Sequence, residues 1–200
     1  GKVAVAGATA VSNLMIDIRQ KLTELANSSI SASQRTIIQR DFTELVSQAA
    51  NFVSNATYNG FALLTSGAAT VNTLANLAGG QLSLTAQGNV KLFINSLAGA
   101  TTTTAVNAQS VIVGQFNDLE TSVAQALGTL GAEVRALDLQ TGFLEELRDT
   151  TTVGLGNIVD ADLARESAKL TSQQIQQELS VQTLSIANTR PNTILSLFRG

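Results

Sequence analysis

Three stretches of the chain repeat apolar residues at alternating steps of three and four positions. The first two stripes occupy residues 8–25 and 38–56. The third occupies residues 127–144 and continues a stripe that begins near Phe116. The spacing is typical of helices that pack at a shallow angle, as in bundles and coiled coils. It predicts a mainly α fold, an antiparallel bundle of long helices over about residues 3–26, 33–57 and 105–150.

Polar and glycine-containing segments separate the first two predicted helices from their surroundings. Residues 27–33 form a polar loop, and Ser33 is a suitable N-cap for the second helix. Asn59-Gly60 follows that helix, and this dipeptide readily adopts the positive φ of a helix stop or a tight turn.

The middle of the chain changes to a period of two. Leu82 and Leu84 alternate with polar residues, and Val90, Leu92 and Ile94 recur at the same period of two. Gly88-Asn89 lies between the two runs as a plausible hairpin turn, so we expect a small β-hairpin over about residues 81–95. Its flanks are rich in Gly, Ala, Thr and Asn and are predicted to be loops.

A second boundary is predicted after a core domain of about residues 1–152. Residues 150–156 contain three threonines and two glycines, which favours a linker at about 153–159. A last helix then opens near Asp160 or Asp162, with acids at the positive end of its dipole, and occupies about residues 160–200. Pro191 is expected to bend or end it.

The C-terminal helix has apolar residues on two sides, and its tail is also apolar. Because a helix that is apolar on more than one side has neighbours on more than one side, we expect it to bind other subunits. The residues predicted to form this assembly interface are Leu163, Leu170, Ile175, Leu179, Leu184, Ile186, Ile194, Leu195, Leu197 and Phe198.

Composition argues against several classes of function. The net charge of −3 provides no basic surface for nucleic acid. The chain has no Cys and no His, so the commonest metal ligands and the commonest general base are missing. Asp160, Asp162 and Glu166 are better explained as acids at a helix N-terminus than as a metal site. No apolar run is long enough for membrane insertion. We therefore expect neither an enzyme nor a cofactor.

The chain resembles bacterial flagellin, most closely over residues 160–199. The matching features are Asp160-Ala161-Asp162, a Gln-rich helix, Ala187-Asn188, Pro191 and the closing Leu195-Ser196-Leu197-Phe198-Arg199. Leu130-Gly131-Ala132 and Tyr58-Asn59-Gly60-Phe61 are similar to further flagellin motifs. Phe198 departs from the pattern, because leucine is commoner there.

The resemblance implies a structural subunit that polymerises head to tail into the flagellar filament for motility. It implies an extracellular protein, exported without a cleaved signal peptide, whose C-terminal helix lines the inner tube. An export chaperone, the filament cap and hook-associated proteins are its implied partners, besides copies of itself. It also implies that the chain is N-terminally incomplete and has no large outer domains.

Two other functions stay open at this point. A hook–filament junction protein is also helical and related, and a flagellin-like cell-surface binding protein would capture polysaccharide. The closing Leu-Ser-Leu-Phe-Arg favours flagellin over the former, and the low aromatic content of 4% argues against the latter. Deletion of residues 191–200 is predicted to block filament formation without unfolding residues 1–150.

Overall fold

The computed structural model describes residues 1–76 and 79–197, with side chains as far as Ala187. It contains the helices α1 (Lys2–Leu25), α2 (Ala32–Asn55), α3 (Asn89–Ala98), α4 (Ala105–Val111) and α5 (Asn117–Leu197), and the strands β1 (Val71–Leu74) and β2 (Gln81–Leu84). A π-helical turn, Ile112–Phe116, joins α4 to α5. Contacts divide the chain into a first unit, Gly1–Gly142, and a second unit that begins at Phe143.

The first unit has one hydrophobic core, and α1 and α2 supply much of it. On α1 the buried apolar residues follow steps of four and three; they are Ala4, Ala8, Val11, Met15, Ile18, Leu22 and Leu25. On α2 the same steps bury Phe42, Val46, Ala49 and Val53. These two predicted helices are confirmed to within two residues at each end, as is the mainly α fold.

The loop between α1 and α2 is held at both ends by side chains. The Ser31 hydroxyl accepts from Gln34 N, and the Gln34 side chain accepts from Ser31 N, which is a capping box. The Arg35 guanidinium donates to the carbonyls of Leu25 and Asn27 at 2.6 and 3.0 Å and so completes the end of α1. The predicted N-cap, Ser33, was wrong by two residues, because the Gln that completes a capping box lies three positions after Ser31.

A small two-stranded antiparallel sheet is present as predicted, but the range predicted for its hairpin, residues 81–95, is wrong. Leu82 and Leu84 do lie in a strand, but β2 pairs antiparallel with β1, with Val71 opposite Leu84, and residues 89–98 form α3. Val90, Ile94 and Leu97 are buried at helical steps of four and three, whereas Leu92 between them is exposed. A five-residue run of alternating residues fits a strand and a short helix equally well.

Three hydrogen bonds attach the sheet region to α5. The Glu133 carboxylate accepts from Thr85 N at 2.8 Å and from the Thr85 hydroxyl. Gln140 Nε2 donates to Ala75 O at 2.7 Å. The small sheet is therefore fixed against the last turns of α5 within the first unit.

The turn after α2 has the predicted backbone. Asn59 and Gly60 have φ of 50° and 80°, and Tyr58 and Phe61 exchange two backbone hydrogen bonds of 2.9 Å. Glycine fits this conformation without steric cost, and asparagine tolerates it better than most residues.

The predicted linker at 153–159 does not interrupt the helix. Helix α5 continues through these residues and through Pro191, which was expected to bend or end it. The hydroxyls of Thr151 and Thr152 donate to carbonyls four residues earlier, at 2.7 and 2.8 Å, so these threonines fit within the helix. Glycine weakens a helix by about 1 kcal/mol without ending it, and proline removes one backbone donor. The division into a core domain and an inner-tube helix stays a prediction.

Candidate assembly surface

The second unit presents its apolar residues to solvent. Six of the predicted interface residues have described side chains, and each is between 52% and 65% exposed; they are Leu163, Leu170, Ile175, Leu179, Leu184 and Ile186. Ile194, Leu195 and Leu197 lie in α5, but their side chains are outside the described residues, and so is Phe198. Large exposed apolar residues on one element mark an interaction surface.

These residues form two stripes on one helix. At 100° per residue, Leu163, Leu170 and Leu184 project within one sector, and Ile175, Leu179 and Ile186 project roughly 165° away, on nearly the opposite side of the helix. We call the first set the leucine stripe and the second set the isoleucine stripe. The geometry provides two separate apolar faces, as the sequence predicted.

Sequence reasoning missed further members of the exposed apolar surface. Leu155, Ile158 and Val159 are 60%, 69% and 47% exposed. Leu155 and Val159 fall near the sector of the leucine stripe at 100° per residue. These residues were missed because residues 153–159 were predicted to be a linker, so the helical spacing of apolar residues was not extended across them.

The polar residues around both stripes are almost uncharged. From residue 170 to residue 187 the only charged side chain is Glu178, and the others are mainly Ser, Thr and Gln. The hydroxyls of Thr171, Ser180 and Thr183 donate to carbonyls of their own helix, at 2.9, 2.8 and 2.6 Å. Burying a hydroxyl that keeps its hydrogen bond costs little, so this surface is suited to being covered.

The acidic residues near the start of the stripes do not form a metal site. Asp160, Asp162 and Glu166 are exposed, and Glu166 lies 4.0 Å from the Lys169 ammonium. Within the described residues, no three acidic, Cys or His side chains come together to hold a metal ion. Of the helices described, none combines the length and apolar character needed to cross a membrane.

Comparison with known proteins identifies the family. Residues 113–198 match the bacterial flagellin C-terminal helical region. The chain is 34% identical to flagellin FljM of Caulobacter vibrioides over 197 residues, which cover 98% of this chain and 72% of that protein. The chain belongs to the bacterial flagellins. The resemblance stated from its motifs is confirmed, and the chain is a structural subunit of the flagellar filament.

Two other relatives and one structure agree with this identification. Flagellin FljJ of Caulobacter vibrioides is 37% identical over 195 residues, covering 95% of this chain and 70% of its own length. The flagellin of Brucella melitensis is 32% identical, covering 92% and 68%. The crystal structure of Bacillus cereus flagellin matches with a TM-score of 0.61 at 17% identity, over 68% of this chain and 79% of that one. This last likeness supports the flagellin fold.

Proposed function

We propose that this flagellin polymerises head to tail and that the leucine and isoleucine stripes bind two different neighbouring subunits in the filament. The observation that carries this is the exposure of both stripes on a helix with almost no charge beyond residue 170. Contacts between unlike surfaces of identical copies do not close on themselves and therefore generate open helical filaments.

The six described stripe residues hold apolar surface whose burial offsets much of the cost of association. Full burial of a Leu or Ile side chain contributes about 1.5–3 kcal/mol. Since each is only half to two-thirds exposed in the isolated chain, covering it adds roughly 1–1.5 kcal/mol, or about 6–9 kcal/mol for six. The loss of translational and rotational freedom costs about 4–15 kcal/mol. Every stripe residue therefore matters for the net affinity.

One charge placed in each stripe tests the proposal. Leu170→Glu and Ile175→Glu should each raise the critical concentration for polymerisation of the purified full-length flagellin by about 100-fold or more, because an unpaired buried carboxylate costs several kcal/mol. Gln176→Glu is the matched control. It adds the same charge at a position that faces away from both stripes, roughly 80° from the isoleucine stripe.

The three variants separate assembly from folding. We expect all three to keep the thermal unfolding transition of the first unit, measured by circular dichroism. Polymerisation of Leu170→Glu and Ile175→Glu at the concentration required by Gln176→Glu would contradict the role of the stripes. Deletion of residues 191–200 is likewise expected to abolish filaments, which electron microscopy would detect.

Other parts of the proposal rest on the family alone. We expect export without a cleaved signal peptide, and contacts with an export chaperone, the filament cap and hook-associated proteins. We also propose that the chain has no catalytic role, since it has no His and no Cys to act as a base or a thiol nucleophile. No observation favours a hook–filament junction protein or a polysaccharide-binding protein.

A further inference from the structure

The turn after α2 contains the only Asn-Gly pair in the sequence, Asn59-Gly60. Both residues are exposed, and a Cβ added to Gly60 would meet no atom within 4 Å, so water has access to the pair. Glycine has no side chain, and its backbone nitrogen is therefore the least hindered nucleophile that can follow an asparagine. Asn59 is thus the asparagine of this chain whose side chain is chemically most reactive.

The reaction open to this pair is deamidation, and its only co-reactant is water. Gly60 N loses its proton and attacks Cγ, the carboxamide carbon of Asn59. A new N–Cγ bond forms, the Cγ–Nδ2 bond breaks, and Nδ2 departs as ammonia, which leaves a five-membered succinimide ring. Water then adds to one of the two ring carbonyls and breaks its bond to the ring nitrogen. The product is aspartate or, when the ring opens at the backbone carbonyl, isoaspartate, whose main chain runs through the side chain.

The folded turn keeps the two reacting atoms apart. Asn59 and Gly60 have φ of 50° and 80°, and Tyr58 and Phe61 exchange two backbone hydrogen bonds of 2.9 Å, which is a type I′ turn. The first central residue of such a turn has ψ of about 30°. This ψ places Asn59 Cβ at a torsion of about 150° from Gly60 N around the Cα–C bond, whereas ring closure needs the two atoms nearly eclipsed. Asn59 Cγ therefore cannot reach Gly60 N until the turn opens.

We propose that Asn59 is a self-modification site gated by the fold, protected in the closed turn and deamidated when the chain is unfolded or the turn opens locally. Among the hydrogen bonds of the described residues, none is donated by Gly60 N. The two bonds between Tyr58 and Phe61 are therefore what holds the turn closed. Opening of this turn, and not the intrinsic reactivity of the pair, then sets the rate of deamidation in the folded protein.

Isoaspartate at this position would keep the turn open permanently. It adds one carbon to the main chain between Tyr58 and Phe61, so the loop no longer matches the two hydrogen bonds across it. Just beyond the turn the chain enters the core at Leu63 and Leu64, which are 4% and 0% exposed. A chain with isoaspartate therefore loses the fixed connection between α2 and these core residues. Ordinary aspartate keeps the length of the backbone and tolerates positive φ, so it does not have this effect.

Deamidation rates of the folded and the unfolded protein test the gate. Purified full-length flagellin is incubated at neutral pH with and without guanidinium chloride, and the peptide that contains Asn59 is followed by mass spectrometry. We expect the folded protein to react at least about ten-fold more slowly, because two hydrogen bonds must open first. Phe61→Pro removes the donor of one of them and should speed the reaction of the folded protein several-fold. Phe61→Leu keeps that donor, and as the matched control it should react as the wild type does.

Three outcomes would overturn the gate. The first is equal deamidation of the folded and the unfolded wild type, a comparison that decides even if Phe61→Pro fails to fold. The second is an unchanged rate in a Phe61→Pro protein that keeps the thermal transition of the first unit. The third is a Phe61→Leu protein that reacts as fast as Phe61→Pro, because the ring and not the hydrogen bond would then hold the turn.

The isolated isoaspartate form tests the consequence for the turn. Its amide hydrogens at Tyr58 and Phe61 should exchange at least about ten-fold faster than those of Asn59→Asp. That variant carries the same new charge on a backbone of ordinary length, so it separates the effect of charge from that of the added carbon. Equal exchange rates in the two proteins would overturn the claim that isoaspartate opens the turn.

Discussion

Replacing Gly7 with alanine should destabilise the first unit, even though alanine is the better helix former. Gly7 is buried in α1, where that helix passes the end of α2. A Cβ at Gly7 would lie 2.5 Å from the Ala56 Cβ and 3.2 Å from Leu64 Cδ1. Carbon atoms pack best at about 3.5–4.0 Å, so the backbones would have to separate by about 1 Å.

The expected magnitude follows from two opposing effects. Alanine gains about 1 kcal/mol over glycine in a helix. Overpacking a close contact costs about 1–3 kcal/mol, and the upper part of this range applies because the Ala56 Cβ is bonded directly to the backbone and cannot rotate away. The net loss is about 1–2 kcal/mol, which lowers Tm by about 2–8 °C for a unit of this size.

Calorimetry of three variants tests this reasoning. Gly128→Ala is the matched control, because Gly128 is exposed in α5 and an added Cβ would meet nothing within 4 Å; it should raise the stability. The double variant Gly7→Ala/Ala56→Gly removes the clashing methyl group and should recover most of the loss. A Gly7→Ala protein as stable as the wild type would refute the close approach of α1 and α2.

Two further predictions concern hydrogen bonds of the first unit. Ser31→Ala removes the N-cap of α2 and should lower the free energy of unfolding by about 1 kcal/mol in urea titrations; an unchanged midpoint would mean that the capping box contributes nothing. Glu133→Gln weakens the acceptor for Thr85 N and Thr85 Oγ1, and should cost about 1 kcal/mol and speed amide hydrogen exchange at Thr85. Equal exchange rates in the variant and the wild type would exclude this attachment of the sheet to α5.

The long amphipathic helices could be predicted because their signal is local and repeated. On α1, seven buried residues spanning Ala4–Leu25 keep the same steps of four and three. A pattern of this length fits one face of a helix and no strand. The tight turn at Asn59-Gly60 was predictable for a similar reason, since both residues favour positive φ.

The sheet could not be predicted, because tertiary contacts decide it. Leu84 is buried in the core, and its strand takes Val71 as a partner from a segment whose composition indicates a loop. The segment after β2 becomes helical where Gly88 approaches the backbone of Thr65; a Cβ at Gly88 would lie 2.8 Å from Thr65 O. Both the pairing of Val71 with Leu84 and the approach of Gly88 to Thr65 join residues that are far apart in the sequence, so no local pattern predicts them.

The π turn holds one residue more than a turn of α-helix, and this extra residue changes the spacing of the buried positions around it. The step of five from Val111 to Phe116 is visible in the printed sequence, but only after the buried positions on both sides are known. Ile112 is also apolar and fills the gap with a step of four, which hides the irregularity. Exposure of Val113, and not of its neighbours on either side, is what reveals the turn.

Helix α5 carries leucines in two environments, and the polar residues around them differ. Leu119 and Leu130 are fully buried by the first unit, whereas Leu170 and Leu184 stay more than half exposed. An exposed apolar stripe normally promotes indiscriminate association. Here Gln, Ser and Thr flank the stripes, and the described hydroxyls are occupied within the helix. Such residues keep the free surface hydrated without charges that resist burial. In the proposed filament we therefore expect the shape of the two stripes, and not charge, to select the neighbouring subunits.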